Sequence, residues 1–215
     1  SDLFFVDFIQ NHDQTGNRAQ GERLITLAGA DKTRVLLAAL LLSPHIPLLF
    51  MGEEYGETHP FLFFTDFHGE LAKAVREGRA KEFTGHAGHD ETVPDPNDVN
   101  TFIRSKLDWN KIATDEGKTW LRYTRHLLTL RHRYIVPLLH PGGAVEGHVL
   151  KTAPGMVAVS WRFPSGTLSL ALNIGTKPVD LPALAGETRF AWPELNDVLP
   201  PNGIVVRFAD GEASL

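Results

Sequence analysis

The chain reads as an α/β segment followed by a small all-β domain, and three observations predict this. An apolar run, Leu3-Phe4-Phe5-Val6-Asp7-Phe8-Ile9, ends in a tight polar cluster, Asn11-His12-Asp13-Gln14. A polar loop, an amphipathic stretch and a second apolar run, Ile46 to Met51, come next, and strand, loop, buried helix, strand is the order of an α/β unit. Beyond Pro141-Gly142-Gly143 the composition turns to short β-rich runs punctuated by Gly and Pro.

The first run, residues 3 to 9, is almost continuously apolar, as expected of a strand buried on both faces. Residues 11 to 20 are polar and contain Gly, which predicts a loop. Asp31 is placed to N-cap a helix from Lys32 to Leu42, with Val35, Leu36, Ala39, Leu40 and Leu42 toward a core. Ser43-Pro44 stops that helix. Ile46 to Met51 then reads as a second buried strand, ended by Gly52. A loop rich in aromatics and acids covers 52 to 67, and a helix from about Gly69 to Phe83 follows. Residues 84 to 100 lack periodicity and read as an exposed loop. A longer helix spans about Glu116 to Arg133, where Trp120, Tyr123, Leu127, Leu130 and Tyr134 form an apolar stripe for core packing. The basic residues of the same stretch, Arg122, Arg125, His126, Arg131, His132 and Arg133, read as a solvated face. In the last part, Met156 to Phe163, Thr167 to Ile174 and Ile204 to Phe208 are strands, with a hairpin turn at Pro164-Ser165-Gly166. The domain division expected is 1–140 and 141–215.

Composition narrows the function class. The 215 residues are 42% hydrophobic and 22% charged, with a net charge of -5, ordinary for a globular protein. There is no dense basic stripe, which argues against nucleic acid as a partner. There is no cysteine, so disulfides and thiolate metal sites are excluded, and a cytoplasmic location is expected. No apolar run is long enough to span a bilayer, and no signal peptide is visible, so no membrane partner is expected. The first residue is Ser rather than Met, which suggests processing, a tag remnant or an internal boundary.

The chemistry concentrates at Asn11-His12-Asp13-Gln14. The C-terminal ends of barrel strands are where enzymes place catalytic side chains. An amide, an imidazole and a carboxylate together hydrogen-bond vicinal hydroxyls well, so a sugar is a natural ligand. The plain alternative is that Asp13 caps the following turn. His86, His89 and Asp90 have a zinc-like spacing, but no third distant ligand stands out, and no metal or other cofactor is expected.

Asn11-His12-Asp13 at a strand end resembles the fourth conserved region of the α-amylase superfamily of glycoside hydrolases. The longer string, Phe8-Ile9-Gln10-Asn11-His12-Asp13-Gln14-Thr15-Gly16-Asn17-Arg18-Ala19, resembles the maltooligosyltrehalose trehalohydrolase branch. Leu49-Phe50-Met51-Gly52-Glu53-Glu54-Tyr55-Gly56 is similar to the end of that family's eighth barrel strand. Pro60-Phe61-Leu62-Phe63-Phe64-Thr65-Asp66-Phe67, Pro94-Asp95-Pro96 and Ser105-Lys106-Leu107-Asp108-Trp109 continue the likeness. Pro200-Pro201-Asn202-Gly203 resembles the start of the last strand of the family's C-terminal domain.

The resemblance implies the C-terminal part of a (β/α)8 TIM barrel, its last two strands and helices, followed by a small antiparallel β-sandwich. It implies hydrolysis of the α-1,4 bond next to the trehalose end of maltooligosyltrehalose or a related α-glucan. Retaining glycosidases need a nucleophile and an acid about 5 Å apart. In the family these come from the fourth and fifth strands, which would lie in a separate N-terminal part of the same enzyme, the expected partner. The chain alone is therefore expected to be inactive. The third family carboxylate maps to Asp13, which would hold the sugar 2-OH and 3-OH, with His12 and Gln14 donating to neighbouring hydroxyls. Arg18 would pair with Asp13 or with the nucleophile, and Asn11 would orient the loop. Glu54, Phe64 and Asp66 would line the mouth of the site, with Phe61, Phe63 and Phe67 near it. A glycogen branching enzyme shares the Phe-Leu-Phe-Phe-Thr-Asp type of segment and is the enzymatic alternative. A carbohydrate-binding domain is the other, with Trp161, Phe163, Phe190, Trp192 and Phe208 as a stacking platform.

Overall fold

The strand expected over residues 3 to 9 is short. Val6–Asp7 (β1) pairs in parallel with Ile46–Pro47 (β2), Val6 opposite Ile46, in a two-stranded sheet. These positions come from a computed structural model that describes residues 5–83, 93–139, 146–195 and 197–211. The described residues fall into two compact units. One is drawn from Ser1–Ile9, Ala30–Leu48 and Arg122–Leu215, the other from Gln10–Gly29 and Leu49–Leu121. This division follows contacts rather than the sequence order of the expected 1–140 and 141–215 domains.

In the first unit, the β1–β2 sheet does not have the double burial that its apolar residues call for. Phe5 is 60% exposed and Val6 53%. A sheet of two strands gives each strand a single paired edge and leaves apolar faces uncovered. The second run likewise pairs only over Ile46–Pro47 and not on to Met51.

Helix α3 (Ala30–Leu42) starts earlier than expected. Gly29, at φ 82°, precedes it, and Asp31 lies inside the first turn, paired with Arg34 at 2.8 Å, rather than capping it. Val35, Leu37, Ala38, Leu40, Leu41 and Leu42 are buried, while Leu36 and Ala39 are only half-buried. A helix apolar around most of its circumference is a core helix, so a one-face assignment misplaces Leu36 and Ala39.

Arg131 is the clearest departure from the solvated-face reading. It is buried, and its guanidinium donates to the carbonyl oxygens of Leu41 (3.0 Å), Ser43 (2.6 Å) and His45 (2.7 Å). The last carbonyls of a helix have no intrahelical donor and carry the negative end of its dipole, so a buried cation is satisfied there. Helix α6 (Asp115–Leu130) delivers this residue through a π-helical turn, Arg131–Ile135. Of the expected stripe, Trp120 and Leu127 are buried and Tyr123, Leu130 and Tyr134 half-buried.

The β-rich tail forms a five-stranded antiparallel sheet, in the order β3-β4-β5-β9-β7. Its strands are Glu146–Ala153 (β3), Met156–Phe163 (β4), Gly166–Asn173 (β5), Glu187–Trp192 (β7) and Gly203–Asp210 (β9). A small pair, Val179–Asp180 (β6) and Val198–Leu199 (β8), accompanies it. Pro164 and Ser165 link β4 to β5, with Phe163 opposite Gly166. Met156, Ala158, Ala171, Leu184, Leu199 and Val205 form one core cluster. Phe163 and Phe190 are buried, and Trp192 packs edge-on against Tyr123. These rings are committed to packing, which removes most of the expected stacking platform. β3 is exposed at every position, so it carries no alternating apolar signal, and its edge is broken by a register shift between Val149 and Lys151.

The second unit holds short helices joined by loops. They are α1 (His12–Gly16), α2 (Leu24–Ala28), a 3-10 turn at Glu53–Tyr55, α4 (Gly69–Phe83), α5 (Val99–Arg104) and a 3-10 turn at Trp109–Ala113. Of these, α4 has the expected bounds. No helix among the described residues is long and apolar enough to cross a membrane.

Candidate functional site

The Asn11–Gln14 cluster is a helix start rather than a loop. Asn11 is extended (φ -146°, ψ 179°), and its side-chain oxygen accepts from the Gln14 backbone N–H at 2.8 Å. Asn11, not Asp13, is therefore the N-cap of α1. The Asp13 carboxylate is left free of that duty. Its Oδ1 lies 3.2 Å from His12 Nε2, and the two side chains are 72% and 70% exposed. An imidazole and a carboxylate side by side and open to solvent are available to an incoming hydroxyl pair.

A buried polar frame lies beneath this turn. Gln10, next to Asn11, donates through Nε2 to Glu53 Oε1 at 2.9 Å and accepts from the Leu24 N–H at 3.0 Å. Glu53 Oε2 accepts from the Phe50 N–H at 3.0 Å. Burial outweighs these donors and the nearby Arg23, and pushes the Glu53 carboxyl up to about 7. Arg23 is itself buried, donating to the carbonyls of His59 (2.6 Å) and Met51 (2.8 Å) with its guanidinium 5.0 Å from the Phe50 ring centre. Desolvation lowers its pKa, against the pull of Glu57 and its acidic neighbours.

Glu57 behaves in the opposite way to Glu53. Burial pushes its carboxyl up, but the backbone N–H groups of His59, Asp108 and Thr58 and the Tyr55 hydroxyl donate to it, and together they hold it below its ordinary value. Glu57 thus ties the 53–59 turn to the Asp108 segment and is not open to a ligand.

The remaining candidates separate into exposed and packed groups. Arg18 pairs with Glu22 at 3.1 Å, four residues away, rather than with Asp13, the one of its two expected partners that lies in this chain. Glu54 is half-buried on the 3-10 turn after β2. Phe64 sits in a row of rings, edge-on to Phe61 (5.6 Å) and Phe102 (5.2 Å), and Phe61 meets Phe50 at 5.4 Å. That row anchors the 60–64 segment, whereas Phe63 and Phe67 are exposed. Asp66 is fully open, with His68 4.0 Å away. His86, His89 and Asp90 lie outside the described residues.

Sequence reasoning gave no individual role to Gln10, Arg23, Glu57 or Arg79. Each makes contacts distant in sequence, with backbone groups that no residue pattern announces. Glycine marks two of the close approaches. Gly21, at φ 59°, accepts through its carbonyl from the Phe61 N–H at 2.8 Å, and a Cβ there would stand 2.5 Å from Phe61 O. Gly56, at φ 71°, would put a Cβ 2.6 Å from the Trp120 ring.

No family model matches the chain. Curated proteins named malto-oligosyltrehalose trehalohydrolase do match it. That of Deinococcus radiodurans is 49% identical over 137 residues, which is 63% of this chain. That of Brevibacterium helvolum is 38% identical over 189 residues, which is 87% of this chain. The chain spans only 22% and 31% of the lengths of these two relatives. Among solved structures, one from Salmonella typhimurium described under the name alpha amylase is 65% identical, with a TM-score of 0.88. It aligns over 97% of this chain and 35% of its own. Isomaltulose synthase of Erwinia rhapontici, at 16% identity and a TM-score of 0.60 over 96% of this chain and 43% of its own, shares the fold.

Proposed function

The chain is homologous to the malto-oligosyltrehalose trehalohydrolases, and on that premise we propose that it supplies the C-terminal part of a glycoside hydrolase that releases trehalose from maltooligosyltrehalose. In this reading β1 and β2 are the last two strands of a (β/α)8 barrel, and residues 141–215 are the β-sandwich that follows it. The remaining strands, from the N-terminal part of the enzyme, would cover Phe5, Val6 and Ile46. The location would be cytoplasmic.

The observation that carries the reading is the geometry of the Asn11–Gln14 turn. Asn11 takes over the capping, which leaves the Asp13 carboxylate exposed beside His12 in the first turn of α1. Asp13 would accept hydrogen bonds from the 2-OH and 3-OH of the glucosyl ring at the cleaved bond. As positive charge develops at the anomeric carbon those hydroxyls become more acidic, the bonds strengthen, and the transition state gains more than the ground state. His12 and Gln14 would fix neighbouring hydroxyls, and Glu54, Phe64 and Asp66 would shape the mouth. The nucleophile and the general acid would come from strands outside this chain.

The test is trehalose release from maltooligosyltrehalose by the enzyme that contains this chain. Asp13→Asn should lower kcat by about 100-fold or more, with the fold retained. The 215-residue chain alone should release none. New α-1,6 branches in place of trehalose would move the assignment to a branching enzyme, and an unimpaired Asp13→Asn variant would remove Asp13 from the site.

A further inference from the structure

The turn that presents Asp13 is too short to hold itself in place. Helix α1 has five residues, and isolated helices of that length are not stable in water. On its N-terminal side it is held by Gln10, through Glu53 and the Leu24 N–H. On its C-terminal side a single side chain from α4 takes the same part. Arg79 Nη2 donates to the carbonyl of Gly16 at 2.8 Å and to that of Arg18 at 3.0 Å, across more than sixty residues of sequence. Its Nη1 donates to Glu82 Oε2 at 2.9 Å. The guanidinium also lies over two aromatic rings, 5.1 Å from the Phe63 centre and 4.6 Å from that of Phe83.

Arg79 is 6% exposed, the only buried residue of an otherwise open helix. A buried guanidinium costs free energy unless its donors are used, and here two of them go to carbonyls at the exit of the Asp13 turn. The Gly16 carbonyl belongs to the last turn of α1, where helix carbonyls lack internal donors. Asp13 is tied to the same end, since its own carbonyl accepts from the Asn17 N–H at 3.0 Å. A shift of Gly16 therefore reaches Asp13 within one helical turn. The planar fork suits two carbonyls and two ring faces at once, which an ammonium does not.

We infer that Arg79 is a positioning residue, latching the C-terminal end of α1 so that the Asp13 carboxylate meets the sugar hydroxyls in register. This rests on the reading of Asp13 given above. Arg79 also lines a cleft of about 240 Å³ with Asn17, Phe63, Val75, Gly78 and Glu82, so a direct contact with sugar is the competing role.

Kinetics on maltooligosyltrehalose, with the complete enzyme, separate these roles. Arg79→Met keeps the length and the packing over the rings but deletes the donors. It should lower kcat about 10- to 100-fold, as misplacement of a catalytic group by an ångström does, with KM within about threefold. Arg79→Lys should recover part of the loss, because its ammonium can reach one carbonyl. A wild-type kcat in Arg79→Met, or a raised KM with kcat unchanged, overturns the inference. Should Arg79→Met fail to fold, Glu82→Gln decides instead, since Glu82 is exposed and neutralising it loosens the guanidinium. A several-fold fall in kcat at constant KM supports the latch, and an unchanged kcat overturns it. Asp13→Asn is run in parallel. If it is inactive while the Arg79 and Glu82 variants are normal, only the latch fails, whereas an active Asp13→Asn removes the reading beneath it.

Discussion

The two compact units are held together by different physics. In the sheet unit, backbone groups pair with one another along β4, β5 and β9, and the interior is Met156, Ala158, Ala171, Leu199 and Val205. In the loop-rich unit no ladder runs through the 49–68 segment, so its backbone groups need other partners. Arg23, Glu53 and Glu57 supply them, and Arg79 does the same for the carbonyls of Gly16 and Arg18; all four are buried and each is bonded to main-chain groups. Where secondary structure is scarce, buried charged side chains take over the pairing of the backbone. Arg131 shows the same device at a single point of the sheet unit, the end of α3.

The sharpest way to break this contrast is Glu57→Ala. It strands the buried Tyr55 hydroxyl and takes the acceptor from the part-buried N–H groups of Thr58, His59 and Asp108. The expected loss is about 3–5 kcal/mol in urea unfolding, comparable to breaking a buried ion pair. A loss below about 1 kcal/mol would mean that apolar packing holds both units alike. The pH dependence gives a finer test within the loop-rich unit. Glu53 is raised to about 7 in the folded state, so the fold keeps a proton that the unfolded chain has released. Its contribution is present below the ordinary carboxylate pKa of 4.5 and is lost as pH rises toward and through 7. Glu57 is lowered, so its contribution is present above 4.5 and is lost as pH falls below that value. Glu53→Gln should flatten the stability curve between pH 4.5 and 7, and Glu57→Gln should flatten it on the acid side. Curves unchanged by either substitution would remove both carboxyls from the linkage. The smallest expected effect is at the cap. Asn11→Ala should cost about 1 kcal/mol, seen as a lower midpoint in urea at constant slope, because one N–H of α1 loses its acceptor.

Legibility in the sequence follows the same divide. The hairpin at Pro164-Ser165, the strands on either side of it and helix α4 lie where local pattern predicts them, since neighbouring residues set the turn and the periodicity. β3 was missed because it faces solvent on both sides, and the extent of β1 was misjudged because burial depends on neighbouring strands. The motif at residues 11 to 14 was visible in the residues themselves. The sequence did not show that Asn11 does the capping, and Arg18 pairs with Glu22, where Asp13 or the nucleophile was the expected partner.

By itself, the order of residues determined the α3, α4 and α6 helices and the central strands of the β-rich tail, the place of the polar cluster after an apolar run and the likeness to a family of sugar hydrolases. These rest on local spacing and on short strings whose chemistry is carried within a few residues. The tertiary structure alone decided which charged side chains are buried and which are open. In the sequence Arg23, Glu57, Arg79 and Arg131 look like any surface charge, and Glu53 like part of the turn after an apolar run. Their roles come from carbonyls and N–H groups brought to them from elsewhere in the chain, and the free energy of a buried charge is set by those partners and not by its own neighbours in sequence.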